Sequence, residues 1–120
     1  MPEIALISKE QALIDVLEKR FTREGYQIEI AKKGKQGLEL IRNNTPDLAL
    51  VDVEMPDMSG FEILKKLNDT QLNNVPVVAI FNSGDPEEIE KATNLGIEDW
   101  IIKTEFDPEE VINKVEKQLN

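Results

Sequence analysis

The feature that most constrains this chain is a pair of short runs that are apolar at every position, Ile4-Ala5-Leu6-Ile7 and Leu48-Ala49-Leu50-Val51. A strand with one face in water alternates polar and apolar residues, so an unbroken apolar run has to be covered on both faces. Helices flanking a parallel sheet supply that cover. Two further runs read the same way, Val75 to Phe81 and Trp100-Ile101-Ile102, and Tyr26, Ile28 and Ile30 alternate with Gln27 and Glu29 as in a strand near an edge. The third strand extends from Leu48 to Val53 and carries one acid, Asp52, at its end.

Helical patterns separate these strands. Leu13, Val16, Leu17, Arg20 and Phe21 recur at helical spacing before Gly25, which marks a stop. Lys32 to Lys35 read as a polar turn, and Leu38, Leu40 and Ile41 fall in a short helix ending at Asn43-Asn44-Thr45-Pro46. Ser59-Gly60-Phe61-Glu62 fits a capping box, followed by Phe61, Leu64 and Leu67 on one helical face. Asp85-Pro86-Glu87-Glu88 and Asp107-Pro108-Glu109-Glu110 announce the last two helices, each with an Asp cap, Pro in the first helical position and acids in the first turn. Five strands alternating with five helices predict a single α/β domain over residues 1–120, a doubly wound parallel sheet without repeats or linkers.

Composition narrows the chemistry. With 40% hydrophobic and 32% charged residues the chain is globular rather than disordered, and no apolar run is long enough to span a membrane or resembles a signal peptide, so a cytoplasmic location is expected. There is no Cys and no His, which excludes disulfides, thiolate or imidazole metal sites, thiol nucleophiles and histidine bases. Fourteen Lys and Arg against 24 Asp and Glu give a net charge of −10, which argues against binding nucleic acid or anionic lipid.

In open parallel sheets, ligands bind outside the carboxyl ends of the strands, where the strand order reverses. The residues just past the strands are Ser8, Lys9 and Glu10; Asp52 and Glu54; Phe81, Asn82 and Ser83; and Lys103 and Thr104. A carboxylate facing a lysine across that crevice can act as nucleophile and positioning cation for a phosphoryl group.

The segment from Pro46 to Glu62, with its Asp52-x-x-x-Pro56-x-x-x-Gly60 spacing, together with Val75-Pro76-Val77-Val78 and Gly96 to Lys103 downstream, resembles the receiver domain of bacterial two-component response regulators. The resemblance covers essentially the whole chain. It implies a flavodoxin-like, chemotaxis-receiver-like fold with strand order 2-1-3-4-5 and a signalling role rather than an enzymatic one. Asp52 would be the phospho-acceptor, receiving the group from a sensor histidine kinase or phosphotransfer protein with bound magnesium. Asp52 and the backbone carbonyl of Glu54 would be metal ligands, Lys103 would pair with the phosphoryl oxygens, and Trp100 would be the switch aromatic.

Two departures bear on that role. The acid pair that normally ends the first strand is replaced by Ser8 and Lys9, and the Thr or Ser that normally ends the fourth strand is replaced by Phe81, so three of the five usual side chains are missing. Thr104 stands where a proline usually follows the lysine, with Glu105 an extra residue before Phe106. An ammonium repels magnesium, and a phenyl ring cannot hydrogen-bond a phosphoryl oxygen. Magnesium binding is therefore doubtful, with Glu10 the nearest substitute ligand at the cost of shifting the strand-end register.

Ser8 also fits a Ser-x-x-Gln capping box with Gln11, and Lys9 is either a solvated residue or a tethered cation for Asp52. Lys103 belongs either to the crevice or to a pair with Glu98 or Asp99. Asp57, Asp85 and Asp107 read as turn or cap residues. The expectation is a degenerate receiver, a stand-alone interaction module whose fourth helix (Asp85 to Leu95), fifth strand and fifth helix (Asp107 to Leu119) bind a protein target. The alternatives are a working magnesium-dependent acceptor and, on weaker grounds, a flavin- or nucleotide-binding domain, since Ser8-Lys9-Glu10-Gln11 has no glycine to cradle phosphate.

Overall fold

The computed structural model of the chain describes residues 1–68 and 74–120. Its elements run β1 (Glu3–Ile7), α1 (Gln11–Arg23), β2 (Gln27–Ala31), α2 (Gly34–Asn44), β3 (Leu48–Asp52), α3 (Gly60–Asn68), β4 (Val77–Phe81), α4 (Pro86–Asn94), β5 (Asp99–Ile102) and α5 (Pro108–Leu119), with a 3₁₀ turn over Lys103–Glu105. The strands form one five-stranded parallel sheet in the order β2-β1-β3-β4-β5, the flavodoxin-like order that the resemblance implied.

The two-residue period of a strand divides the apolar runs between the two faces. Ile4, Leu6, Leu48, Leu50, Val78 and Ile80 point to one side, where Leu13, Ile14, Leu17 and Phe21 of α1 and Val111, Ile112 and Val115 of α5 cover them. Ala5, Ile7, Ala49 and Val51 point to the other, against Leu38 and Ile41 of α2 and Ile63 and Leu67 of α3. Val53, Ala79 and Phe81 complete that second face with Leu64 of α3 and Ala92 of α4. Each fully buried Leu or Ile contributes about 1.5–3 kcal/mol of transfer free energy, which is why runs without polar alternation select this two-sided arrangement.

The helix starts follow their capping chemistry. Asp85 accepts from the Glu87 amide at 3.0 Å and Asp107 from the Glu109 amide at 3.1 Å, and Ser59 Oγ accepts from the Glu62 amide at 3.3 Å. At the end of α1, Gly25 takes a φ of +91°, open to glycine without steric cost. The expected turn over Lys32 to Lys35 is corrected: α2 already begins at Gly34. Lys33, its N-cap, supplies no side-chain bond, but Asp57 reaches across from the β3–α3 loop and accepts from the amides of Gly34 at 2.7 Å and Lys35 at 3.2 Å. Asp57 is thus a cap, for a helix that precedes it in the chain.

Strand limits shift slightly. Val53 lies beyond β3, although its amide still donates to Ile80 at 3.0 Å, and β4 starts at Val77 because Pro76 has no N–H to give the ladder. Among the described residues no helix is long and apolar enough to cross a membrane.

Candidate functional site

Parallel pairing fixes where the strands end. Ile7 of β1 lies beside Val51, and Asp52 lies beside Ile80, so the last residues of β1, β3 and β4 finish at one edge with Asp52 in the centre. The Asp52 side chain is fully buried. A carboxylate there has to be paired and hydrogen-bonded to stay charged, and its partners are all in place. Ser8 Oγ donates to Oδ2 at 3.0 Å, Lys103 Nζ lies 2.7 Å from the same oxygen, and the Glu54 amide donates to Oδ1 at 2.9 Å.

Gly60 lets α3 start close enough to frame this carboxylate. A Cβ at Gly60 would overlap the Asp52 carbonyl oxygen and the Val53 Cα, and the Gly60 amide donates to the Val53 carbonyl at 3.0 Å. The Asp-x-x-x-Pro-x-x-x-Gly spacing is therefore a packing constraint that brings a helix start against the end of the central strand.

Two expectations at the end of β1 need correction. Ser8 does not form a capping box with Gln11: α1 starts at Gln11 with Glu10 as N-cap, and no side chain caps that position. Ser8 is buried, and its hydroxyl accepts from the Glu10 amide at 3.2 Å while donating to Asp52, so it joins the strand end to the carboxylate. The alternative of Lys9 as the cation on Asp52 is not what forms either. Lys9 Nζ donates to Glu54 Oε1 at 3.3 Å in a half-exposed pair, because successive residues leaving a strand diverge and Lys9 follows a buried serine outward.

Lys103 takes the place on Asp52. At the start of the 3₁₀ turn that follows β5, it directs its ammonium into the crevice, where it also donates to Glu10 Oε1 at 3.1 Å. Burial alone would lower the pKa of this ammonium, but hydrogen bonding to Asp52 and the Asp52 charge, followed by the same contributions from Glu10, outweigh burial and hold it above the ordinary lysine range. Of its two possible partners outside the crevice, Asp99 is instead paired with Lys114 at 3.2 Å. Glu10 touches Lys103 with the β1–β3 register intact.

Phe81 ends β4 fully buried, in contact with α3 and α4, its ring 6.5 Å from that of Phe61. Trp100 is partly buried and packs against the same cluster. Phe61, Phe81 and Trp100 thus belong to one cluster, with a ring and no hydroxyl at the position of Phe81. Asn82 and Ser83 beyond it are exposed.

Magnesium requires several oxygen ligands in near-octahedral geometry. At the end of β1 the chain offers a hydroxyl already bonded to Asp52 and an ammonium, and Lys103 lies on the same Asp52 oxygen as Ser8. Among the described residues no three acids are gathered closely enough to hold a metal ion. The donor set does not fit magnesium.

The Glu10–Lys103 pair is not legible in the sequence, and for Asp57, which reads as a turn or cap residue, the helix it caps is not. Their partners lie 93 and 23 residues apart, so no local pattern signals them.

The family model of the response regulator receiver domain matches residues 4–116. The transcriptional regulatory protein AfsQ1 of Streptomyces coelicolor is 30% identical over 86% of this chain and 45% of its own length. The response regulator ArlR of Staphylococcus saprophyticus is 31% identical over 99% of this chain and 53% of its own length. The chain thus spans about half the length of these relatives. Among solved structures, a CheY-like receiver domain protein of Methanospirillum hungatei superposes with a TM-score of 0.91 at 27% identity, covering 99% of this chain and 94% of the other. With the fold, the placement of Asp52 and Lys103 and a family match over nearly its full length in agreement, the chain belongs to the response regulator receiver domains of two-component signalling.

Proposed function

We propose that this chain is a degenerate receiver, a signalling module that acts by binding a protein partner and not by accepting a phosphoryl group. The observation that carries the proposal is the occupation of Asp52: both carboxylate oxygens are engaged, Oδ2 by Ser8 and Lys103 and Oδ1 by the Glu54 amide. A carboxylate attacks phosphorus through an oxygen lone pair, and an oxygen already held by an ammonium and a hydroxyl is a poor nucleophile.

Phe81 supports the same conclusion. Where a hydroxyl would follow a transferred group, a fully buried ring fills the space against Phe61 and the partly buried Trp100. Rearranging that cluster would open a void in the second sheet face, so it favours one packing. The surface offered to a partner is that of α4, β5 and α5, as a fixed shape.

A working acceptor served by a sensor histidine kinase or phosphotransfer protein is the competing reading, favoured by Asp52 Oδ1, whose one partner among the described residues is the Glu54 amide. Intact mass after incubation with acetyl phosphate, with and without magnesium and with Asp52→Asn as control, separates the two. We expect no adduct under either condition. A phosphoryl adduct on the wild-type chain that disappears in Asp52→Asn would overturn the proposal.

A further inference from the structure

Two ion-paired groups stand at the crevice: Lys103 contacts the fully buried Asp52 and the half-exposed Glu10, and Lys9 contacts the half-exposed Glu54. Lys103 Nζ lies 2.7 Å from one acid and 3.1 Å from the other, between the end of β3 and the loop that opens α1. That is the position of a bridging cation. We propose that the lysines of this chain occupy the cation position of the crevice, Lys103 linking Asp52 to Glu10 and Lys9 covering Glu54, so that the site is neutralised from within and needs no divalent ion. The inference deepens the reading of the chain as a degenerate receiver and rests on it.

The physical grounds are three. A covalently attached ammonium loses no translational freedom on reaching its acids, whereas a magnesium ion would first have to shed tightly held water. A divalent ion entering beside Lys103 would meet a like charge within a few ångströms, next to a fully buried carboxylate where water screens poorly. Finally, Lys103 is held on the Asp52 side by a fully buried carboxylate and its side chain is only 14% exposed, so displacing it would also expose a buried anion. Glu10 has a distinct part in this arrangement. It is a positioning residue, whose carboxylate takes a second hydrogen of the ammonium and keeps Lys103 turned into the crevice.

Thermal melts of the full chain followed by circular dichroism, with and without millimolar magnesium chloride at matched ionic strength, test this. The wild-type melting temperature should not move. Lys9→Met/Lys103→Met, which leaves Asp52, Glu10 and Glu54 without lysine partners, should be less stable in buffer and gain about 5 °C from magnesium. Should that variant not fold, Lys103→Gln, which keeps an N–H donor for Asp52, should show the gain in smaller measure. Stabilisation of the wild-type chain by magnesium, or a folded Lys103 variant indifferent to it, would overturn the inference. The acetyl phosphate experiment fails separately: an adduct formed on a chain that magnesium does not stabilise would remove the degenerate-receiver reading and leave the internal cation in place.

Discussion

Phe81 sits where two demands meet, the filling of the sheet's second face and the chemistry at the strand ends. Its ring is fully buried among Val53, Leu64, Ala79, Ala92 and Ile97. Phe81→Ala should cost about 3–5 kcal/mol, since the ring's transfer free energy is lost and a cavity remains. Equilibrium urea denaturation with an unchanged slope checks this, and a cost under about 1 kcal/mol would show that the pocket collapses freely. The ring's incompatibility with a phosphoryl oxygen is legible from residue type alone. Its complete burial is not, because that depends on Phe61 and Leu64 arriving from an earlier helix and Ala92 from a later one. Ser8 teaches the complementary lesson: its spacing to Gln11 fits a local cap, yet α1 takes Glu10 as its N-cap, and the Ser8 hydroxyl accepts from the Glu10 amide while donating to a buried carboxylate 44 residues away.

Among the elements, α2 shows how a helix start is borrowed from elsewhere. Its first-turn amides find Asp57 in the β3–α3 loop, and hydrogen bonding, chiefly from Gly34, holds that carboxyl below the usual carboxylate range despite opposing desolvation. A group with a depressed folded pKa contributes stability above its unfolded pKa and loses it as pH falls through the folded value. The Asp57 contribution is therefore present at neutral pH and lost in acid below the ordinary aspartate range. Asp57→Ala should speed amide hydrogen exchange at Gly34 and Lys35 while leaving Glu62, capped by Ser59, unchanged. Equal acceleration at both helices would mean that the loop as a whole, and not the cap, had been lost. The caps of α4 and α5 could be read directly from Asp-Pro-Glu-Glu, because there the cap and its amides are two residues apart.

At the scale of the molecule, Lys103 ties β5 to β3 and to the loop after β1, so its ionisation bears on global stability. Its pKa is raised in the folded chain, so its contribution is complete below the unfolded lysine pKa and disappears as pH rises through the folded value. Tyr26, whose pKa burial also raises, acts in the same direction. Urea midpoints should thus fall as pH climbs through and above the ordinary lysine range, and less steeply in Lys103→Met; parallel profiles for the two chains would assign the whole decline to other groups. What the sequence determined by itself is the layered sheet, the helix starts with local caps and the placing of Asp52 and Lys103 at strand ends, since hydrophobic period and capping chemistry act between residues close in the chain. Which cation meets which acid depends on contacts between distant segments. Lys9, Glu10 and Lys103 all stand within reach of one crevice, and their pairing follows from strand register, burial and the direction in which each side chain leaves its strand, quantities that exist only once distant segments have packed.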